Sequence, residues 1–224
     1  MKSAFTYHGL SIVLGVVFIL ILAGQAVSGL SLYNEEQLQD GLQKIGMLDY
    51  ITSSSFVVDV AENWQSEYLQ FLLYIIATIW LVQKGSPESK TADKVGVESD
   101  EDQKIGEYTQ EDSPRWAKKR DWKLVVYSNS LVIVMAVIFF FSWLVQGVAG
   151  HVNYNEEQMK ALEAPIPFGE YLLSAEFWNR TLQNWQSEIL AVVSMAVLAI
   201  FLRQRGSSQS KPVGEPHDAT AVGG

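Results

Sequence analysis

The chain has 224 residues and no cysteine, which excludes disulfides and thiolate metal sites. Histidine is nearly as scarce. His8, His151 and His217 are scattered, so no metal centre and no histidine-based enzyme is indicated. Charged residues make up only 18% of the chain. A mean hydropathy of +0.09 would suit a soluble protein, but the average hides how the apolar residues cluster. Residues 10–23 carry no charge and one polar group, Ser11, and residues 124–145 are also uncharged. A helix needs about 20 mostly apolar residues to cross a bilayer core, and these runs approach or reach that length. Residues 68–82 and 189–202 form two shorter uncharged runs. The first run is read as a retained span rather than a signal peptide. Ala23-Gly24-Gln25-Ala26 is a poor processing site, and the same segment recurs at the third run.

The net charge of −9 comes from 25 acidic and 16 basic residues, but orientation follows Lys and Arg alone. Thirteen of them lie before the first run, between the second and third, or after the fourth. Only Lys44, Lys160 and Arg180 lie in the other two connections. This asymmetry predicts cytoplasmic termini and a cytoplasmic middle segment.

Shifting the sequence against itself by 121 residues aligns its halves without a gap. Tyr33-Asn34-Glu35-Glu36-Gln37 falls on Tyr154-Asn155-Glu156-Glu157-Gln158, and Asn63-Trp64-Gln65-Ser66-Glu67 on Asn184-Trp185-Gln186-Ser187-Glu188. Over residues 33–67, 14 of 35 positions are identical. The fold expected is therefore all-α and membrane-integral, with four spans in two tandem hairpins. The first repeat covers 1–90, with spans near 9–30 and 66–83 and an outside segment at 31–65. The second covers 121–211, with spans near 124–149 and 187–204 and an outside segment at 150–186. Short extracytoplasmic helices join the spans of each hairpin. Two spans per copy make both copies enter the membrane in the same direction, unlike an inverted-repeat transporter. Residues 91–120 read as a disordered, charged cytoplasmic linker and 212–224 as a disordered tail.

The shared residues suggest roles. Asn34 with Gln37, and Asn155 with Gln158, have the spacing of a capping box and predict helix starts just outside the membrane. Ser53 and Ser174 are the next expected N-caps. Trp64 and Trp185 suit interfacial anchors. Glu67 and Glu188 fall at the membrane edge, where ionisable groups are costly and mark functional sites by default. The spacing of Phe56, Val60, Trp64, Glu67 and Phe71 predicts one packing face carrying Glu67. Together with Gln25, Gln146, Asn63 and Asn184, the two glutamates form the candidate polar site. Two readings compete for it: hydrogen bonds that hold the hairpins together, or a site for an ion, proton or lipid headgroup. Catalytic, cofactor-binding and metal-binding residues are not indicated. The partners expected are the lipid bilayer and either a membrane protein or a second copy of the chain, with no nucleic acid.

With Gly9-Leu10-Ser11, Gln25, the two duplicated blocks and Gly85-Ser86-Pro87-Glu88-Ser89-Lys90 in view, the chain resembles a family of bacterial four-span membrane proteins of unknown function. The resemblance implies a bacterial plasma membrane and the duplicated fold, and it brings no activity or substrate. The expected role is non-enzymatic, structural or interaction-based, in the cell envelope. A small transporter or channel component using Glu67 and Glu188 is the alternative.

Overall fold

The computed structural model describes residues 2–223, with side chains from Phe5 onward. It is 65% helix, and no strand occurs among the described residues. Seven α-helices follow one another: α1 (Lys2–Gln39), α2 (Met47–Ile51), α3 (Ser54–Trp80), α4 (Trp122–Ser128), α5 (Ser130–Lys160), α6 (Phe168–Leu172) and α7 (Ala175–Phe201). Among the described residues, three stretches are long and apolar enough to cross a membrane: Phe5–Gln39, Ser130–Lys160 and Ala175–Phe201. Along the first, Leu10, Val13, Leu14, Val17 and Ile21 are all exposed. Water disfavours so continuous an apolar surface, and a bilayer accommodates it. Helix α3 matches α7 in length, at 27 residues. Asn63, Gln65, Ser66, Glu67 and Gln70 dilute the apolar character of its outer half.

α1 and α5 continue straight through the Tyr-Asn-Glu-Glu-Gln blocks. Asn34 and Asn155 are thus interior helical residues and do not cap a new helix. No proline interrupts residues 25–39 or 146–160, so the backbone has no reason to leave the helix there. Gln37 and Gln158 instead belong to the last turn, where each backbone carbonyl closes a Schellman motif. Leu42 N–H donates to Gln37 O at 2.8 Å, and Glu163 N–H to Gln158 O at 2.8 Å. The left-handed residue that this motif requires is Gly41 (φ 74°) at the first end and Leu162 (φ 60°) at the second.

The chain divides into two compact units. One comprises Met1–Ala61 with Val145–Phe177, and the other Glu62–Leu144 with Trp178–Gly224. The second unit contains an apolar cluster of Leu69, Leu72 and Phe139, against which Tyr68, Val132, Met135, Ala136, Trp143 and Trp185 pack. The face of α3 expected to pack, through Trp64, Glu67 and Phe71, is exposed at those three positions. The buried stripe is Val58, Ala61, Gln65, Leu69 and Leu72, which has the same three-and-four spacing. Gln65 is tolerated in it because its Oε1 accepts the Trp185 indole N–H at 2.7 Å.

Residues beyond α3 and α7 repeat one turn. Gln83 N–H donates to Ser89 Oγ, and Gln204 N–H to Ser210 Oγ, both at 2.9 Å. The lysine that follows then differs in its surroundings. Lys90 bonds Gly96 O and pairs with Glu98 at 3.0 Å. Lys211 is only 1% exposed and donates to the carbonyls of Gly85, Pro216, His217 and Ala219. A buried ammonium needs such acceptors, and three of the four come from the segment read as a disordered tail, which folds back so that Ala221 N–H reaches Ser86 O at 3.1 Å. The segment read as a disordered linker contains two short 3-10 turns, Ala92–Lys94 and Gly106–Tyr108.

Candidate functional site

In the unit that holds residues 40–53 and 161–174, the residues common to both halves of the sequence build the same knot twice. Asn34 reaches across 11 residues to clamp Ile45: its Nδ2 donates to Ile45 O at 3.1 Å, and its Oδ1 accepts from Ile45 N–H at 2.8 Å. Asn155 holds Ile166 in the same way, at 3.1 and 2.9 Å. An amide side chain is the natural partner here because it supplies one donor and one acceptor, matching the two backbone groups of a loop residue. The second knot has an extra tie, since His151 Nε2 lies 2.7 Å from Ile166 O. A carbonyl only accepts, so that nitrogen carries the proton.

Each clamp holds a short helix whose tyrosine packs on a glycine of the long helix. The Tyr50 hydroxyl lies against Gly29, and that of Tyr171 against Gly150, so close that a Cβ would collide with either. Both tyrosines are almost fully buried. Tyr50 packs on Tyr33 and Phe56, and Tyr171 on Tyr154 and Phe177, with ring centroids 5.3–5.6 Å apart. Ser53 and Ser174 then start α3 and α7, their Oγ atoms accepting from Phe56 N–H at 3.3 Å and Phe177 N–H at 3.2 Å. Two contacts join residues of the first connection to α5. Ser54 Oγ donates to Glu156 at 3.0 Å, and Lys160 pairs with Asp40 at 3.5 Å while bonding Glu157 at 2.8 Å.

A cleft of about 340 Å³ opens beside the first knot, lined by Gln25, Ser28, Gly29, Leu32, Tyr33, Glu36, Tyr50, Ser55 and Asp59. Burial, then the carboxylates of Asp59 and Glu36, then Tyr33 push the Tyr50 phenol above its ordinary pKa, so it stays neutral. Tyr50 is 4% exposed.

The candidate polar site is divided between the units. Gln25 lines the outer cleft, and Gln146 is 1% exposed in the same unit. Glu67, Glu188, Asn63 and Asn184 belong to the other. There Glu67 is exposed and Glu188 half-buried, close enough for their charges to interact. Asn184 Nδ2 donates to Arg180 O at 3.0 Å on its own helix, and the backbone O of Asn63 accepts from Ser66 Oγ at 2.9 Å. Trp64 is 43% exposed, whereas Trp185 joins the ring cluster of Phe139 and Trp143. One turn further along α3 and α7 from the glutamates, a second cavity of about 310 Å³ is lined by Gln70, Phe71, Tyr74, Glu88, Ala191, Val192 and Met195. Tyr74 donates to Glu88 there at 3.1 Å. No group of three or more His, Asp or Glu is placed to hold a metal ion among the described residues.

Sequence reasoning missed Tyr33, Glu36, Tyr50 and Asp59 as a group. One signal was present. Asp59 faces Arg180, Ser28 faces Ala149 and Ser55 faces Glu176 when the halves are aligned, so the cleft contains positions at which the copies differ.

Long apolar helices exposed along their length define an all-helical membrane protein. The family described as "Domain of unknown function (DUF6766)" matches residues 1–222, and the chain belongs to it. No curated protein and no solved structure matches the chain.

Proposed function

We propose that this is a four-span protein of the bacterial plasma membrane, built from two tandem hairpins with both termini cytoplasmic, and that it acts as a non-enzymatic interaction scaffold in the cell envelope. One observation carries the reading. The residues common to both halves are engaged in structure, as Asn–Ile clamps, tyrosines seated on glycines, serine caps and serine-closed turns. Residues so engaged hold a shape and perform no chemistry. α3 counts as the fourth span because its apolar stretch, roughly 22 Å at ~1.5 Å per residue, crosses a locally thinned bilayer or one entered by its polar outer turn. The chain lacks cysteine, so single-cysteine variants report topology without background labelling. Leu42→Cys and Leu162→Cys should both react with a membrane-impermeant maleimide in intact cells, and Ser99→Cys only after permeabilisation. Labelling of positions 42 and 162 from opposite sides would overturn the architecture.

The cavity beside Glu67 and Glu188 favours a second reading, a small transporter or channel component. Proteoliposomes that show a specific flux lost in Glu67→Gln with Glu188→Gln would replace the scaffold with this alternative. Lack of flux above protein-free vesicles would remove it.

A further inference from the structure

The residues that lead into α4 and α5 carry charge of nearly one sign. From Pro114 to Lys123 stand Arg115, Lys118, Lys119, Arg120 and Lys123, against Asp121 alone. Adding Glu107, Glu111 and Asp112 from the preceding residues still leaves the stretch net positive. Asp121 is occupied locally, because its side chain accepts from Lys123 N–H and caps α4. Arg120 pairs with Glu107 at 3.1 Å, but these side chains are 70% and 68% exposed, so water screens the pair. Lys118 Nζ donates to a neutral acceptor, Glu111 O, at 2.7 Å and keeps its charge. Elsewhere the cations that follow the long helices are committed internally: Lys90 to Glu98, Arg203 to carbonyls at the end of α7, and Lys211 to its four carbonyls. A second observation is independent of charge. Trp122 and Tyr127 pack edge to face on Trp116, with centroids 6.3 and 6.4 Å away, yet all three rings are 42–65% exposed. Val125 and Val126 of α4 are exposed beside them. Lys123 Nζ lies 5.8 Å from the Trp122 centroid, so the aromatic and basic parts of this surface meet at one place.

Position decides what covers this surface. α4 ends at Ser128 and α5, one of the stretches able to cross a membrane, begins at Ser130. The third expected span starts near residue 124, which puts Trp122 and Lys123 at its edge and residues 115–120 immediately outside it. Exposed tryptophan and tyrosine rings at that level are the usual anchors of a membrane interface, and a run of cations beside a span is drawn to anionic lipid. We propose that residues 115–127 form a docking surface for the headgroups of anionic phospholipid in the cytoplasmic leaflet. Arg115, Lys118, Lys119 and Lys123 supply charge to the headgroup phosphates, and Trp116, Trp122 and Tyr127 sit at the level of the lipid glycerol. A zwitterionic lipid satisfies the rings but not the excess positive charge, so the surface distinguishes phosphatidylglycerol from phosphatidylcholine. The proposal goes beyond the scaffold reading by naming the lipid that one of its surfaces selects, and it rests on that reading's placement of α5 as a span and of residues 91–120 in the cytoplasm.

The test is a lipid titration of the full chain in neutral detergent micelles, with bound lipid counted by native mass spectrometry. Phosphatidylglycerol, phosphatidylcholine and sn-glycerol 3-phosphate serve as separate probes. Phosphatidylglycerol should bind more tightly than phosphatidylcholine, and higher salt should weaken phosphatidylglycerol alone. Lys118→Gln with Lys119→Gln should raise its Kd about fivefold for each lysine removed and leave phosphatidylcholine unchanged. Both lysines are exposed, so the unfolding midpoint of the double variant should match the parent. Trp122→Ala should weaken both lipids alike. Equal affinity for the two lipids, parental affinity in the double lysine variant, or parental binding of both lipids in Trp122→Ala would overturn the proposal. So would binding of glycerol phosphate as tight as that of phosphatidylglycerol, which would mark a site for soluble anions. Micelles have no sides, so a reversed labelling of Ser99→Cys moves the surface to the other leaflet without touching the titration, and a failed titration leaves the labelled topology standing.

Discussion

The two connections at residues 40–53 and 161–174 share clamps and tyrosine seats but are stabilised unequally. The first turns on Gly41, at home in the left-handed region, and clamps Ile45 through Asn34 alone. The second puts Leu162 in that conformation, 95% exposed, and adds His151 to the clamp. One copy has an unstrained turn and a single tie, the other a strained turn and a double tie. The two connections reach the same geometry by different means.

The clamp should show the largest effect. Asn34→Ala leaves Ile45 N–H and C=O without their partner and should cost about 2–3 kcal/mol. Asn155→Ala should cost about 1–2 kcal/mol, because His151 still satisfies Ile166 O. Unfolding in detergent micelles measures both, and equal losses would mean that the histidine bond contributes nothing. The glycine seats come next. Gly29→Ala should destabilise by about 1–3 kcal/mol and recover in part when Tyr50→Phe removes the hydroxyl it strikes. Gly150→Ala should recover less with Tyr171→Phe, since Val58 Cγ2 also stands 3.3 Å from the added Cβ.

The turns give a smaller effect of opposite sign. Leu162→Gly should stabilise the protein by about 1 kcal/mol and Gly41→Ala destabilise it by about the same, as unfolding midpoints would record. A stabilising Gly41→Ala would break the comparison of the two turns.

Lys160 gives the smallest. Burial lowers its pKa, but the hydrogen bond it donates to Glu157 and the charges of Glu157, Tyr33 and Asp40 outweigh this and raise it above its ordinary 10.5. The folded state therefore holds this proton more tightly than the unfolded state. Its contribution is complete below pH 10.5 and is lost as pH rises through the raised value. Lys160→Met should lower stability at pH 8 by about 0.5 kcal/mol, a difference that disappears under strongly alkaline conditions.

The apolar helices were legible because their signal is local. So was the likeness of the two halves, because 14 of 35 residues recur over residues 33–67. Asn34 and Gln37 were misplaced for an instructive reason. The spacing that caps a helix start also fits the end of one, and only the continuous backbone of α1 separates the two. The packing face of α3 was similarly ambiguous. Stripes through Trp64 and through Gln65 have the same periodicity, and the choice depended on Trp185, 120 residues away, supplying a donor to Gln65.

By itself the sequence determined that this is a helical membrane protein, since a run of apolar side chains needs no distant partner to make water unfavourable. It also determined which residues the halves share. The tertiary structure alone decided what those residues do, because Asn34 on Ile45, Tyr50 on Gly29 and Lys211 among four carbonyls each depend on chain segments that meet only after folding. It also brought Glu36, Tyr33, Tyr50 and Asp59 to one cleft, which no spacing along the chain announces.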